Sequence, residues 1–396
     1  MSVWSSLVGQ DAAVAKLSEA AASARAIVAS RGSGRATDEA RSMSHAWLIT
    51  GPPGSGRSVA ARAFAAALQC TGATPGCGQC PGCRTTMGRT NADVLFAATE
   101  TSIINVETAR SLVLQAQSSP SQGLWRVIVV EDADRLGESG ANALLKAIEE
   151  PPEHTVWLLC APSPEDMIAT IRSRCRHLGL RIPTATAVAD LLVREGIATP
   201  EVALEAARAA QSHIGLARAL ARDPQMRERR RSIITAPASV RSVGEAVMAA
   251  DRLLETAKAQ ADAQVSDRNA REKADLLRQL GMEESENATK ASRTMLRQLE
   301  EDQKRRSKRA LTDAIDRALI DLLAIYRDIL MVQVGGDGEL INTDLSELVH
   351  QIAHDSTPHQ TLARVDHIET ARKRLVANGN PLLVLEDMAI SLRPQA

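Results

Sequence analysis

The chain contains 396 residues, of which 44% are apolar, and this is enough to form the cores of two or three domains. Its 47 basic residues almost balance its 48 acidic ones, which excludes a globally basic nucleic-acid-binding protein. Only 2% of the residues are aromatic, too few for a strand-rich core, so we expect a mainly helical protein.

Residues 1–180 contain short apolar segments, rich in β-branched residues, that alternate with helical patterns. The predicted strands are 46–50, 125–130 and 156–160. Buried strands that alternate with helices are typical of a parallel sheet covered by helices on its faces. We therefore predict an α/β domain at the start of the chain.

The remainder of the chain has the pattern of helices alone. A densely charged stretch without proline is split at Gly281, which predicts an antiparallel helical pair over 256–280 and 284–309. The N-terminal segment lacks a basic region followed by an apolar one, and no window of 18 residues is free of polar residues. We therefore expect a cytoplasmic protein without a membrane span.

A glycine-rich loop follows the first predicted strand and precedes a periodic helix. Its sequence is Gly51-Pro52-Pro53-Gly54-Ser55-Gly56-Arg57-Ser58. Glycines let backbone N–H groups surround a phosphate, the helix N-terminus attracts the anion, and Ser58 stands where a hydroxyl would join Mg²⁺. Arg57, however, replaces lysine, and its planar guanidinium does not reproduce a compact ammonium. The pattern predicts phosphate-loop ancestry without efficient ATP hydrolysis; a simple strand-to-helix turn is the alternative.

An acidic pair, Glu131-Asp132, follows the second predicted strand. A phosphate-loop ATPase uses one such carboxylate to hold Mg²⁺ and another to orient water, in the order Asp then Glu. The reversed order here would displace both carboxylates and impair catalysis. The alternative interpretation is a polar strand end that caps the next helix.

Four cysteines lie close together in a segment rich in glycine and proline: Cys70, Cys77, Cys80 and Cys83. Four thiolates on a loop that can wrap around an ion fit tetrahedral Zn²⁺. Because all four ligands are alike and none leaves a position for water, we expect a structural zinc site and not a catalytic one.

Two further segments are ordinary when taken alone. The predicted helix 141–150 is amphipathic and ends at Pro151-Pro152. The segment Ile171-Arg172-Ser173-Arg174-Cys175-Arg176 reads by itself as a charged surface corner.

Taken together, these motifs resemble the AAA+ clamp loaders of bacterial replication, and their delta-prime subunits in particular. The resemblance is carried by the opening Val8-Gly9-Gln10, the loop 51–58, the cysteine insertion, the helix 141–152 and the triplet 173–175. It covers residues 1 to about 220. Beyond about 230 only the helical character agrees, and 256–309 looks like an insertion.

The resemblance implies a three-domain architecture: an AAA+ (RecA-like) α/β core over 1–180 with a zinc module at 70–83, an all-α lid over 181–228 and an all-α collar over 229–396. It implies that Arg174 is an arginine finger that acts in trans on a neighbouring subunit's ATP. Glu131 and Asp132 would form a degenerate Mg²⁺ site. Arg218 takes the place of a lid arginine, and ATP or ADP, with Mg²⁺, would bind at 51–58 without hydrolysis.

The implied function is that of a stationary subunit in a heteropentamer with gamma/tau motor subunits and a delta subunit. The complex would load the sliding clamp onto primed DNA for DNA polymerase III, and this chain itself would be neither a polymerase nor an efficient ATPase. One alternative is a working AAA+ ATPase, such as a gamma/tau motor or another remodeller. A zinc-stabilised DNA-binding protein that uses the basic run 304–309 is disfavoured, because the run follows Glu300, Glu301 and Asp302 and has no aromatic residues beside it to stack on bases.

Overall fold

The computed structural model describes residues 2–30, 42–97, 104–280 and 290–394. The chain divides into two compact units, Met1–Ala221 and Arg222–Ala396. The first unit combines a parallel sheet with helices, and the second consists of helices in the part of it that is described. Whether 181–228 forms a lid distinct from the α/β core stays a prediction.

The first unit is built on a five-stranded parallel sheet. Its strands are β1 (Ala46–Thr50), β2 (Val94–Ala97), β3 (Arg126–Val130), β4 (Thr155–Ala161) and β5 (Arg176–Gly179). Their order across the sheet is β2-β3-β4-β1-β5, so β4 lies between the two strands that precede the glycine-rich loop and the acidic pair. The three predicted strands are confirmed, whereas β2 and β5 were not predicted.

Helices cover both faces of this sheet. The helices of this part of the chain are α1 (Asp11–Ala29), α2 (Arg57–Leu68), α3 (Pro81–Met87), α4 (Val106–Ala116), α5 (Glu138–Glu149), α6 (Ala169–Arg172), α7 (Ala185–Arg194), α8 (Pro200–Ala209) and α9 (Ile214–Arg222). One core lies between the sheet and α1–α2, where the Trp47 and Phe64 rings meet edge-on with centroids 5.3 Å apart. A second core joins the opposite face to α4 and α5, as expected for buried parallel strands.

The second unit is a helical assembly around one main core. Its helices are α10 (Pro224–Ser239), α11 (Val243–Gln279), α12 (Lys290–Gln333), α13 (Ser346–Asp355), α14 (Pro358–Val376) and α15 (Pro381–Ser391). Within the described ranges of the whole chain, no helix is both long enough and apolar enough to cross a membrane.

The charged stretch forms parts of the two longest helices, α11 and α12. Arg306 of α12 contacts Glu272 of α11 at 2.8 Å, and Ala310 packs with Ala261, so the two helices run antiparallel as predicted. Both extend further into the core of the second unit than the predicted limits of 256 and 309. The predicted turn at Gly281 and helix start at Glu284 lie outside the described residues.

Candidate nucleotide and metal sites

The glycine-rich loop and the acidic pair lie at the same edge of the sheet. Parallel strands end together, and ligands of open α/β sheets bind beyond the carboxyl ends of the strands. The loop leaves β1 at Gly51, whose N–H donates to the Pro162 carbonyl beyond β4 at 3.1 Å. Glu131 follows β3 directly. The fold therefore places the two sequence motifs at the edge where a nucleotide site is expected.

The loop has the backbone shape of a phosphate-binding loop. Gly54 and Gly56 have φ angles of +89° and +90°, which only glycine adopts at little cost, and Gly56 directly precedes α2. Ser55 is buried, and its hydroxyl has no hydrogen-bond partner. The start of a 12-residue helix and an unpartnered hydroxyl suit an anion, so the residues present fit a phosphate group.

Arg57 turns back onto its own loop. Its Nη1 donates to the Gly51 carbonyl oxygen at 2.8 Å, which fixes the guanidinium at the base of the loop. A lysine at this position of a working site reaches the β- and γ-phosphates. Ser58 lies half-buried in the first turn of α2.

A buried glutamine fixes the loop to the rest of the first unit. The side chain of Gln10 is only 4% exposed, and its amide nitrogen donates to the carbonyls of Arg181 at 2.5 Å and Ser55 at 3.3 Å. Its amide oxygen accepts from the Arg181 N–H at 3.2 Å. The motif Val8-Gly9-Gln10 thus joins the N-terminal segment, the loop and the segment after β5.

The turn between α8 and α9 packs directly on the loop, a contact that no sequence motif predicts. A Cβ atom added to Gly54 would lie 2.8 Å from the His213 Cα atom. The turn itself is tight, because Gln211 and Ser212 have φ angles of +48° and +62°. Arg218, on α9, makes a bidentate ion pair with Glu195 at 2.8 and 2.5 Å, and this contact holds it at the end of α7.

The acidic pair is surrounded by arginines. Arg89 Nη2 lies 2.6 Å from the Glu131 carboxylate, which is only 12% exposed. Burial above all, then the charge of Arg89, lowers the pKa of Arg62, while Glu131 raises it. Burial and then the neighbouring charge of Asp132 raise the pKa of Asp134. The guanidinium of Arg89 therefore already neutralises the carboxylate of Glu131.

The four cysteines come together in space as the spacing predicts. Their Sγ atoms all lie within 4.8 Å of one another, and those of Cys70 and Cys80 are 3.9 Å apart. Zn–S bonds of about 2.3 Å in a tetrahedron place sulfurs about 3.8 Å apart, so the residues fit a zinc ion. Burial opposes the charged form of Cys80, but hydrogen bonds from Cys83 and Thr71 lower the pKa of Cys80 to about 5.

The N-terminal elements anchor this cysteine module. Arg25 of α1 donates to the carbonyls of Ala73 and Cys70, both at 2.8 Å. Gly76 has a φ of +82°, and a Cβ there would lie 2.7 Å from the Trp4 indole nitrogen. The module is thus packed against the α/β domain, and we expect a metal in it to stabilise that domain.

Arg174 lies on the surface, in the turn after α6. It makes an ion pair with Glu149 at the end of α5, and its Nη1 donates to the Thr170 carbonyl at 2.8 Å. The side chains of Arg174 and Glu149 are 38% and 40% exposed. The structure therefore joins the Ser-Arg-Cys triplet to the Glu-Glu-Pro-Pro segment that ends α5.

A buried aspartate supports the opposite edge of the sheet, where β2 and β3 begin, and no motif pointed to it. Asp93 is fully buried just before β2, and its carboxylate accepts from the N–H groups of Ser121, Gln122 and Gly123 at 2.6–2.8 Å. Burial opposes ionisation of Asp93, but these hydrogen bonds lower its pKa below its usual value. Asp93 thereby fixes the loop that leads into β3.

Part of the first unit is similar to known proteins. The family model described as DNA polymerase III, delta subunit, matches residues 35–184. The gamma/tau subunit of DNA polymerase III from Mycobacterium tuberculosis is 35% identical over 162 residues, which are 39% of this chain and 28% of that protein. The delta' subunit from Pseudomonas aeruginosa is 34% identical over 165 residues, 41% of this chain and 50% of that protein.

The match spans half or less of the length of these relatives, and both subunit types match at similar identity. The solved structure of a DNA polymerase III gamma subunit-related protein from Thermotoga maritima aligns over 88% of this chain and 93% of its own, at 18% identity and a TM-score of 0.43. The chain, an α/β domain followed by a mostly helical remainder, is thus similar over less than half of its length to DNA polymerase III subunits of the delta, delta' and gamma/tau types.

Proposed function

We propose that this chain is the stationary, delta-prime-type subunit of a clamp loader. It assembles in the cytoplasm with gamma/tau motor subunits and a delta subunit into a heteropentamer that places the sliding clamp on primed DNA. In this role it supplies Arg174 to the ATP of a neighbouring subunit and does not hydrolyse ATP efficiently itself. The match of residues 35–184 to the DNA polymerase III delta subunit model and the similarity to a delta' subunit support the assembly.

The observation that carries the proposal is the opposite placement of two arginines. Arg57, at the position where a motor has its lysine, is bonded to the Gly51 carbonyl inside its own loop. Arg174 stands on an outer turn, 38% exposed, where a second subunit has access to it. A chain with its own phosphate lysine replaced and an arginine presented at the surface is suited to act on a neighbour's nucleotide.

Arg174 has the chemistry that this role needs. A guanidinium stabilises the charge that develops on the γ-phosphate during transfer, and an arginine finger is worth about 10³–10⁵ in rate. Its present partner, Glu149, is a half-exposed carboxylate, and such surface pairs contribute only about 0–1 kcal/mol. Release of Arg174 from Glu149 toward a neighbour's phosphate therefore costs little.

The remaining sites have supporting roles in this proposal. The loop 51–58 holds the phosphates of ATP or ADP through backbone N–H groups and the N-terminus of α2, without turnover. The four cysteines hold a structural zinc ion. Neither site performs polymerase chemistry.

The DNA-binding alternative loses support from the charges around its basic run. Arg305 pairs with Asp302 at 2.6 Å, and Arg306 pairs with Glu272 at 2.8 Å. Such pairs neutralise the charge that phosphates would otherwise attract. Direct contact of this run with DNA is therefore not part of the proposal.

The test is ATP turnover in two preparations, the isolated chain and a loader reconstituted with the gamma/tau, delta and clamp proteins and primed DNA. We expect a silent isolated chain, and a loader whose turnover and clamp loading require the chain. Turnover by the isolated chain that is lost in Glu131→Gln would instead show a working ATPase. Turnover by the loader that does not need the chain would refute the assembly.

A further inference from the structure

The ion pair between Arg89 and Glu131 joins two parts of the first unit that lie 42 residues apart in the sequence. Glu131 follows β3, at the position whose carboxylate holds the divalent cation in a phosphate-loop ATPase. Arg89 Nη2 lies 2.6 Å from one of its oxygens, within the distance of a charge-assisted hydrogen bond. Because Glu131 is mostly buried, a cation would have to displace Arg89 to bind its carboxylate directly.

The backbone and a neighbouring ring hold Arg89 in this position. Arg89 comes two residues after α3, has a φ of +60° and donates its N–H to the Thr86 carbonyl at 3.0 Å. Its guanidinium carbon lies 5.0 Å from the centre of the Phe96 ring, a cation–π contact that orients the side chain. Helix α3 begins beside Cys80 and contains Cys83, so the cysteine module sets where Arg89 emerges.

We propose that Arg89 is a built-in counter-ion for Glu131, which takes the place of the divalent cation, and that the cysteine module positions it there. This inference rests on the proposed function, because it explains how a phosphate-loop site is kept from hydrolysis. It assigns the cysteine module a role at the nucleotide site in addition to stabilising the fold. The residues at Glu131 therefore do not fit Mg²⁺ while Arg89 is in place.

The charges around the site favour this arrangement over a bound divalent ion. Arg62 lies close enough to Glu131 and Arg89 to interact with both, and Arg57 interacts with the nearby Asp134. A divalent cation would enter among these guanidinium groups and would be repelled by each of them. Arg89 supplies the charge that balances Glu131.

The experiment measures binding of Mn²⁺, a probe that replaces Mg²⁺, to the full zinc-loaded chain in the presence of ADP. The signal is the electron paramagnetic resonance of free hydrated Mn²⁺, corrected for Mn²⁺–ADP measured without protein. Wild type is compared with Arg89→Gln, which removes the charge, and with Arg89→Lys, which keeps it. The matched control is Arg84→Gln, which removes the charge of an exposed arginine on α3, the helix that precedes Arg89.

We expect Arg89→Gln to bind Mn²⁺ at least about tenfold more tightly than wild type, because the loss of one nearby like charge exceeds 1.4 kcal/mol. The double variant Arg89→Gln with Glu131→Gln should lose this gain, and Arg89→Lys and Arg84→Gln should resemble wild type. No gain in Arg89→Gln, or a gain that survives Glu131→Gln, would overturn the inference.

A second readout separates this inference from the proposed function. ATP turnover by the same wild-type preparation tests whether the chain is a motor. ATP turnover by the wild type, together with clearly tighter Mn²⁺ binding by Arg89→Gln, would refute only the stationary role. A silent chain without that gain would refute only the role of Arg89.

Discussion

Replacement of Asp93 by asparagine should strongly destabilise the first unit, although the two side chains have nearly the same size. One carboxylate oxygen of Asp93 accepts from the N–H and hydroxyl of Ser121, and the other accepts from the N–H groups of Gln122 and Gly123. Asparagine keeps one acceptor oxygen and puts an NH₂ group in place of the other. The two donor groups that bind one carboxylate oxygen in the wild type then face the NH₂ group, which is itself a donor and cannot accept from them.

The magnitude follows from the less costly of the two amide orientations. If the NH₂ group faces Ser121, the serine hydroxyl can rotate to accept, and only the Ser121 N–H is left unpaired, at roughly 1–3 kcal/mol. The two hydrogen bonds to the remaining oxygen lose their ionic partner, at about 1 kcal/mol each. We therefore expect a loss of about 3–5 kcal/mol, a large part of the roughly 5–15 kcal/mol that stabilises a domain.

The assay is urea unfolding followed by tryptophan fluorescence. The four tryptophans of the chain all lie in the first unit, so the signal reports on that unit alone. The matched control is Asp134→Asn. Since burial and a nearby like charge raise the pKa of Asp134, its neutralisation should leave the unfolding free energy within about 1 kcal/mol of wild type.

A second check on Asp93 is how the difference in unfolding free energy between wild type and Asp93→Asn depends on pH. Its pKa is lower in the folded chain than in the unfolded one, so its contribution is present in full above the unfolded pKa of about 4. That contribution is lost as the pH falls through the folded pKa, and the gap between wild type and Asp93→Asn should narrow below pH 4. A loss under about 1 kcal/mol at pH 7, or a gap that widens in acid, would refute the reasoning.

Two further predictions concern the cysteine module and the glycine-rich loop. Cys77→Ser should lower the zinc content, measured by elemental analysis, and the melting temperature of the first unit; unchanged zinc content would exclude the four-cysteine site. Gly54→Ala should cost about 1–3 kcal/mol more than Gly56→Ala, because both have left-handed backbones but only Gly54 lies against His213. Equal urea midpoints for the two variants would show that the contact with His213 does not constrain the loop.

The strands that sequence reasoning found are those buried on both faces. β1, β3 and β4 are apolar and almost wholly buried, and such runs are typical of central parallel strands. β5 is an edge strand in which only Leu178 is buried. Because it contains Arg176 and His177, its sequence resembles a charged surface segment and does not indicate a strand. β2 has only four residues, too few for a periodic pattern to be seen.

For the candidate sites, what could be predicted depends on whether the residues involved lie close together or far apart in the sequence. The loop 51–58 and the four cysteines are set by local spacing: the structure has the predicted helix directly after the loop, and it brings the four Sγ atoms together. The partners of Glu131 and Arg174 are 42 and 25 residues away, and only the packing of the first unit brings them together. No periodicity in the sequence carries that information.

The central claim, that this chain serves a neighbouring motor, is tested most directly by one substitution in the assembled loader. The measurement is ATP turnover with clamp and primed DNA for wild type and Arg174→Ala, with Arg172→Ala as a control two residues away and the isolated chain as baseline. The account predicts that Arg174→Ala lowers ATP turnover by about 10³-fold at the neighbouring subunit's site that Arg174 reaches. Loader turnover with Arg172→Ala should equal that of wild type, and the isolated chain should show no turnover. Unchanged loader turnover in Arg174→Ala, together with an active isolated chain, would contradict it.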